Sequence, residues 1–379
     1  MSIEFDNEKI SVKARIIAFY LPQFHPIDEN NEWWGKGFTE WTNVGRAKPL
    51  FKGHYQPRVP ADLGYYDLRM LEVREAQAEM AAKAGIFGFC YWHYWFGGGR
   101  QLLEKPFNEV LISGKPDFPF CLGWANESWE SKIWSANDTK KNRVLIEQKY
   151  LGEEDNELHF MTLLSAFKDS RYIKIDDKPV FLIYKPEKFK DIGLFIRQWN
   201  DLAIINGIQY GFHFIAHTSS FLEYDNLIKC GFDSITVNPM SRVINNYNGS
   251  KSKLYKRLDF LWSMLNKRNK MKVIEYKDAI KYFINKDEDS IHNVIPTIMP
   301  NWDHSPRSGR YGYILHNSTP KLFEKCVKDA LTYVKKKPEA NKIIFLKSWN
   351  EWGEGNYIEP DKIYGYGYLD AIKRAISNS

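Results

Sequence analysis

The sequence predicts an α/β protein built as a single (β/α)8 barrel. Eight short runs of apolar, β-branched or aromatic residues recur along the chain, and helix-like segments lie between several of them. The length of 379 residues is compatible with such a barrel, which typically has roughly 250 residues and is longer when its loops contain insertions. A doubly wound sheet is the competing architecture, but no Gly-rich dinucleotide turn follows an early strand. The barrel is therefore the favoured fold, with one catalytic domain over 1–379.

The eight runs and the helices between them can be placed in order. The predicted strands cover 15–20, 86–92, 118–124, 179–184, 212–217, 234–238, 293–299 and 343–349. The clearest predicted helices cover 67–83, 154–168, 189–205 and 320–335, with polar faces and, in several cases, a Pro or cap-like start. Two insertions account for the extra length: an elaborated loop over 21–67 after the first strand, and a segment over 241–290 between strands six and seven.

Composition excludes several classes of protein. Hydrophobic residues make up 44% and charged residues 26%, which is typical of globular proteins and not of disordered or fibrous ones. No run approaches the roughly 20 apolar residues of a membrane helix, and the N-terminus lacks the basic and apolar regions of a signal peptide. The four cysteines are far apart, without a zinc or disulfide spacing. We therefore expect a cytoplasmic protein with reduced thiols.

The net charge of +6 is concentrated in one segment. Between 241 and 290 there are six acidic and twelve basic residues, so this segment alone accounts for the net charge. One interpretation is a solvated helical insertion. The other is a basic arm that binds an anionic lipid surface, placing the protein at the inner face of the membrane, or that binds an acidic or lipid-linked glycan. No nucleic-acid recognition motif accompanies the charge, so nucleic acid is not an expected partner.

Aromatic residues gather at the predicted carboxyl ends of the strands, where barrel enzymes carry their active sites. Ten of the 13 tryptophans fall at these ends or in the loops that follow, among Asn, Glu and His. Flat apolar rings beside polar groups suit sugars, although an aromatic lid over another ligand is an alternative. The predicted substrate-binding residues are Tyr20, Gln23, His25, Glu40, Trp41, Tyr91, Trp92, His93, Trp124, Asn126, Glu127, Tyr184, Trp302, Asn350 and Trp352.

Two glutamates just after the last strand are the candidate catalytic pair. Glu351 and Glu354 are three residues apart, beside Gly353 and Gly355, and this spacing lets both carboxylates face one cleft. Two acids beside a scissile bond are what glycoside hydrolysis needs. The alternative is a helix start with two acids that favour the helix dipole. Glu127 is a further candidate acid or base opposite Glu351.

Neither a metal nor a cofactor is predicted. The spacing of His25, His93, His304 and Asp303 matches no zinc pattern. The sequence also lacks a dinucleotide fingerprint, a phosphate-binding Walker loop and a serine nucleophile elbow.

The motifs at the strand ends resemble a known family. The segments at 19–25, 37–41, 88–95, 124–127 and 349–355 resemble the WbsX-type family, whose members are described as glycosyltransferases of bacterial surface-polysaccharide synthesis. That family is in turn similar to glycoside hydrolase family 99, the endo-α-mannosidases and endo-α-mannanases, which are (β/α)8 barrels. The resemblance extends from about residue 15 to residue 360.

The resemblance implies roles for the two acids. Glu351 would be the base that deprotonates the sugar's 2-hydroxyl to give a 1,2-anhydro intermediate, and Glu354 would be the acid that protonates the departing oxygen. In a covalent glycosyl-enzyme route, Glu351 would instead attack the anomeric carbon. The hydrolases commonly have His where this chain has Gly353, so the resemblance does not carry over their mannose specificity.

Three functions remain open from the sequence. The favoured one is a retaining endo-glycosidase acting on a bacterial surface polysaccharide or its precursor. The second is a glycosyltransferase or transglycosidase of O-antigen or capsule synthesis, although we find no Rossmann-like nucleotide-sugar site in the sequence. The third is a non-catalytic glycan-binding barrel, which has no need for two closely spaced acids.

Overall fold

The computed structural model describes residues 14–131, 143–250 and 271–377, and these form a parallel barrel with helices outside it. In chain order the eight barrel strands alternate with helices, as the sequence predicts. The strands are β1 Arg15–Tyr20, β2 Gly88–Trp95, β3 Phe120–Trp124, β4 Lys178–Ile183, β5 His213–Thr218, β6 Ser234–Val237, β7 Thr297–Ile298 and β8 Ile343–Leu346. Their spatial order is β6-β5-β4-β3-β2-β1-β8-β7, and neighbouring strands pair in parallel.

The remaining gap in the barrel, between β6 and β7, is bridged by residues just ahead of β7. Ile235 donates its amide to the carbonyl of Asn293 at 3.0 Å and accepts from the amide of Ile295 at 2.8 Å. The sequence predicts one strand over 293–299, whereas only Thr297 and Ile298 pair with β8. The predicted strand is divided because its first half pairs with β6 and its second half with β8.

Helices pack around the barrel and leave its carboxyl end open. One helix that follows each barrel strand is labelled in chain order: α1 Leu71–Ala84, α2 Lys105–Ser113, α3 Glu153–Phe167, α4 Ile192–Ile205, α5 Tyr224–Lys229, α6 Pro239–Ser250, α7 Pro320–Val334 and α8 Gly367–Ser377. None of the described helices is long and apolar enough to span a bilayer. The predicted helices over 67–83, 154–168, 189–205 and 320–335 correspond to α1, α3, α4 and α7.

Both predicted insertions leave the barrel at its carboxyl end. The loop after β1 contains two short helices, Asp28–Trp34 and Glu40–Arg46. The second begins at Glu40 because Thr39 caps it: the Thr39 side chain accepts from the third helical amide, and Thr42 reaches back to the Thr39 amide. This cap fixes the point at which the Glu40 side chain enters the barrel mouth.

The basic insertion is described only in part, because residues 251–270 lie outside the described residues. Beyond that gap, strand Lys272–Glu275 pairs with Tyr313–His316. Arg242 does not contribute to an exposed basic surface: it is buried and forms ion pairs of 2.7 Å with both Glu288 and Asp289. These ion pairs join the start of the insertion to its end, and lipid or glycan binding by the insertion stays a prediction.

Stacked aromatic rings fill the barrel below its mouth. Phe19 of β1 stacks on Phe345 of β8 at 4.9 Å between ring centroids and on Trp92 of β2 at 4.8 Å. All three are buried, and Trp92 also forms part of the cavity above. The stack closes the barrel interior and gives the site a rigid floor.

Candidate active site

Glu351 and Glu354 lie on a tight hairpin beyond β8. Strand Asn350–Glu351 pairs antiparallel with Asn356–Tyr357, and Trp352–Glu354 forms a single 3-10 turn between them. A 3-10 helix has three residues per turn, so side chains three apart lie on the same side. The turn ends at Gly355, whose φ of 56° suits glycine. The Glu-x-x-Glu spacing therefore puts both carboxyl groups into the barrel mouth, as predicted.

Buried polar side chains hold this hairpin in place. Asn350 accepts from the Leu21 amide at 2.7 Å and donates to the Leu21 carbonyl at 3.0 Å, which ties the hairpin to the end of β1. On the other side, the carboxylate of buried Glu359 accepts from Trp352 Nε1 at 2.6 Å and from Tyr66 Oη at 2.9 Å. The sequence predicts that Asn350 and Trp352 bind substrate. In the structure their side chains bond to the protein itself and hold the backbone on either side of Glu351.

A cavity of about 340 Å³ opens above the hairpin. This size lies at the small end of the usual range for ligand sites. Its walls come from the loop after β1, the ends of β2, β3 and β4, the segment beyond β7 and the hairpin beyond β8. The lining residues are Leu21, Gln23, Asn30, Trp34, Phe38, Glu40, Asn43, Trp92, Tyr94, Ala125, Glu127, Ser128, Trp129, Glu130, Leu145, Tyr184, Arg307, Lys347, Glu351 and Glu354.

Glu351 lies in an apolar environment. Its Oε1 accepts a hydrogen bond from Trp92 Nε1 at 3.2 Å, and no cation of the described chain forms an ion pair with it. Burial, together with the nearby charge of Glu354, raises the pKa of the Glu351 carboxyl to about 8. The raised pKa favours the protonated form of Glu351 at neutral pH.

Glu354 has the opposite environment. The Arg307 guanidinium lies 2.5 Å from its Oε1, and the ring of His304 lies 3.6 Å away. The same guanidinium contacts Glu40 at 3.0 Å, so one arginine bridges two carboxylates. Burial alone would raise the pKa of Glu354, but the charges of Arg307 and His304 hold it well below its ordinary value.

The pKa values of the two carboxyl groups are therefore shifted in opposite directions. The charge of Glu354 helps to raise the pKa of Glu351, as in carboxylate dyads in which one group stays protonated because two charges cannot be close together. One protonated and one ionised carboxyl supply the acid and the base that bond cleavage at a sugar needs. The dyad is the chemical centre of the cavity.

The dyad predicts a pH dependence of stability. The folded protein keeps on Glu351 a proton that the unfolded chain releases above its ordinary pKa near 4.5. The free energy of unfolding should therefore fall as the pH rises from about 4.5 to 8, by up to about 1.4 kcal/mol per pH unit for one proton. Urea unfolding of the wild type and Glu351→Gln across this range measures the difference in slope. Parallel curves for the two proteins would contradict a protonated Glu351.

Only glycine fits at position 353, because the carboxylate of Glu40 occupies the space that a side chain would need. A Cβ at position 353 would lie 1.8 Å from Glu40 Oε2 and 3.1 Å from Arg307 Nε. The position that commonly carries His in the related hydrolases is therefore filled here by the Glu40 and Arg307 side chains.

Gly353→Ala should accordingly lower the thermal unfolding midpoint, because Glu40 must leave its place beside Arg307. Overpacking of this kind costs about 1–3 kcal/mol. Gly45→Ala is the matched control: Gly45 lies in the same short helix as Glu40, and a Cβ there meets nothing within 4 Å. A Gly353→Ala midpoint equal to that of the control would show that the site has room for the methyl group.

Seven of the predicted site residues line the cavity, and ten lie behind its wall. The seven are Gln23, Glu40, Trp92, Glu127, Tyr184, Glu351 and Glu354. The ten are outside the lining residues and have structural contacts: Tyr20, His25, Trp41, Tyr91, His93, Trp124, Asn126, Trp302, Asn350 and Trp352. His93, for example, contacts buried His159 at 2.8 Å, and Trp124 Nε1 donates to the Trp95 carbonyl.

The alternative acid, Glu127, lies at the cavity rim. Its carboxylate pairs with Lys188 at 2.8 Å, and its side chain is about one third exposed. Although it lines the cavity, it is engaged by a lysine at the surface, whereas the dyad is buried. A role for Glu127 opposite Glu351 stays a prediction.

The sequence reasoning missed four lining residues with evident chemistry: Tyr94, Trp129, Arg307 and Lys347. Tyr94 could have been predicted as a lining residue, because side chains alternate along β2 and Tyr94 lies on the same face as Trp92. A lysine directly after an apolar strand is the signal for Lys347. Arg307 lies in the one-turn helix Ser305–Ser308 beyond β7 and has no local signal. Across the described residues, no group of three or more His, Cys, Asp or Glu side chains is arranged to hold a metal ion.

The fold and the dyad define a class: a (β/α)8 barrel with two acids at the carboxyl end of its last strand, typical of carbohydrate-active enzymes. The chain belongs to the glycosyltransferase WbsX family, whose model matches residues 16–372. Two curated proteins from strains of Xanthomonas campestris pv. campestris, each named uncharacterized protein WxcX, are 34% identical over 371 residues. The match covers 97% of this chain and 50% of theirs, so the chain spans about half the length of these relatives.

Solved structures show the same fold. The GH99 endo-alpha-mannosidase of Bacteroides thetaiotaomicron, in complex with bis-tris-propane, aligns with a TM-score of 0.58 at 15% identity and covers 96% of this chain and 97% of its own. A glycoside hydrolase-like protein aligns with a TM-score of 0.56 at 18% identity over 96% and 94% of the two chains. The likeness confirms the predicted barrel.

Proposed function

We propose that this protein cleaves glycosidic bonds within a bacterial surface polysaccharide or its precursor, as a retaining endo-glycosidase that uses Glu351 and Glu354. The observation that carries the proposal is the pair of carboxyl groups on one hairpin, both lining the cavity at the carboxyl end of the barrel, with pKa values shifted in opposite directions. A glycan-binding barrel would not need a buried carboxyl pair that is costly to bury.

The dyad suits attack by the sugar's own 2-hydroxyl. The pKa values of Glu351 and Glu354 are shifted in opposite directions, which suits a pair in which one carboxyl takes a proton and the other gives one. In the proposed route, Glu351 takes the proton of the 2-hydroxyl as that oxygen attacks the anomeric carbon. Glu354 gives a proton to the departing oxygen, and water then opens the 1,2-anhydro ring.

This assignment requires one proton transfer before the chemistry. At rest the proton lies on Glu351 and Glu354 is ionised beside Arg307. When the sugar's 2-hydroxyl donates to Glu351, the proton passes across the dyad to Glu354. Arg307 keeps contact with Glu40 throughout and stabilises the returning carboxylate.

The alternative is transfer to an acceptor sugar in place of water, in O-antigen or capsule synthesis. The specific observation in its favour is membership of a family described as glycosyltransferases. The same dyad would serve, with an acceptor hydroxyl opening the anhydro ring, as in a transglycosidase.

Product analysis separates the two functions. The protein is incubated with its host's surface polysaccharide or lipid-linked precursor, and the products are followed by mass spectrometry and by NMR of the new anomeric centre. Shorter oligosaccharides with retained configuration are expected. Chain extension that depends on an added nucleotide sugar would overturn the proposal, as would inverted products.

A further inference from the structure

Lys347 is a buried cation on the cavity wall that the proposed chemistry does not use. It follows β8 directly, only 5% of the residue is exposed, and it is one of the residues lining the cavity. Its ammonium lies 5.3 Å from the centroid of the Trp302 ring. Its side chain therefore lies inside the barrel mouth, four residues before Glu351.

This ammonium has no carboxylate partner. Within residues 14–131, 143–250 and 271–377, no Asp or Glu oxygen lies within 4.0 Å of Lys347 Nζ. Glu351 and Glu354 influence it only at longer range. The other basic residue on the cavity wall, Arg307, pairs with both Glu40 and Glu354. A buried charge normally costs several kcal/mol unless it is paired, so an unpartnered lysine here is best explained by a partner that arrives with the ligand.

The groups around Lys347 also suit an anion. Tyr184 lines the cavity, and burial raises the pKa of its hydroxyl, which stays a neutral donor without a hydrogen-bond partner in the described structure. The His217 ring lies against that of Tyr184, tilted by 33° with 4.7 Å between the ring centroids, and no hydrogen-bond partner of its buried Nδ1 is found among the described residues. Burial and the charge of Lys347 hold the pKa of His217 well below its usual range.

Several carboxylates line the cavity near Lys347. Arg307 balances one of the two carboxylates that it bridges, Glu40 and Glu354, and Lys188 pairs with Glu127. The raised pKa of Glu351 favours its uncharged form. Ammonium-to-anion hydrogen bonds are strong where water is excluded.

We propose that Lys347 binds an anionic substituent, a carboxylate or a phosphate ester, on a sugar unit held beside the catalytic dyad, so that the preferred glycan is acidic. The inference rests on the proposed function in one respect: it takes the cavity to be the place where the sugar binds. Tyr184 adds a hydroxyl donor to the same substituent.

Binding of simple sugars tests this directly. Glucuronate, glucose 6-phosphate and glucose are titrated into the full chain, with saturation-transfer NMR and tryptophan fluorescence as readouts. At least one anion should bind the wild type roughly ten-fold or more tightly than glucose, and the stronger of the two identifies the substituent. Lys347→Met should abolish this preference and leave glucose binding unchanged, whereas Lys347→Arg should retain it. Equal binding of all three sugars by the wild type, or an unchanged preference in Lys347→Met, would overturn the inference.

Two controls separate this inference from the proposed function. Lys188→Met removes a lysine at the rim that is already paired with Glu127, and it should leave the preference for anions intact. Glu351→Gln should also keep the preference, because the measurement requires no turnover. Anion preference without glycan cleavage would overturn only the proposed function, and cleavage without anion preference would overturn only this inference.

Discussion

Replacing either acid of the dyad by its amide should lower kcat for the glycan substrate by roughly 10²–10⁴-fold while the barrel stays folded. Glu351→Gln and Glu354→Gln preserve size and shape but cannot transfer the proton. The control is Glu127→Gln, at the cavity rim beside Lys188, for which we expect a loss of less than about ten-fold. An equal loss in Glu127→Gln would make Glu127 part of the catalytic machinery.

The two amide variants should also differ from each other. An oligosaccharide fluoride has a leaving group that needs no proton, so Glu354→Gln should regain most of its activity on the fluoride of the natural glycan. Glu351→Gln should not, because the 2-hydroxyl still lacks a base. The reverse pattern would assign the acid to Glu351, the carboxyl that carries the proton at rest. Unimpaired activity in both variants would contradict the dyad itself.

Local pattern was enough to place most of the barrel. The run at 15–20 is continuous and apolar, and β1 has the same bounds. The run at 293–299 looks equally simple, yet it is divided between two partners, β6 and β8. A single sequence reports which residues favour a strand, but not which neighbour they pair with when a barrel closes.

The position of the two candidate acids was predictable, and much of their surroundings was not. Glu351 and Glu354 stand out because they follow the last strand directly. The prediction from sequence assigned consecutive residues at each strand end to the same cleft, although side chains alternate between the two faces of a strand. Trp92 and Tyr94 line the cavity, while Tyr91 and His93 lie behind its wall. Arg307 reaches Glu40 across 267 positions in the chain, a contact that only the folded chain creates.

Arg307 is the cation that pairs with both Glu40 and Glu354. Arg307→Met should lower the free energy of unfolding by about 3–5 kcal/mol at neutral pH, because two buried carboxylates lose their cation. With Arg307 present, the pKa of Glu354 is held below its ordinary value, so the stabilisation exists above that ordinary value and is lost as the pH falls through the folded pKa. The penalty of the substitution should therefore shrink in acid, where Glu354 binds a proton in either protein.

Glu40→Gln provides the matched comparison, because it removes one carboxylate and leaves Arg307 on Glu354. Urea unfolding of both variants and of the double variant between about pH 3 and 8 yields the coupling between the two side chains. In Glu40→Gln the acid limb of the activity profile should stay in place, whereas in Arg307→Met it should move to higher pH as the pKa of Glu354 rises. If the acid limb of the pH–activity profile does not move in Arg307→Met, other groups set the pKa of Glu354. The contacts of Arg307 with Glu40 and Glu354 would then stabilise the fold without tuning the acid.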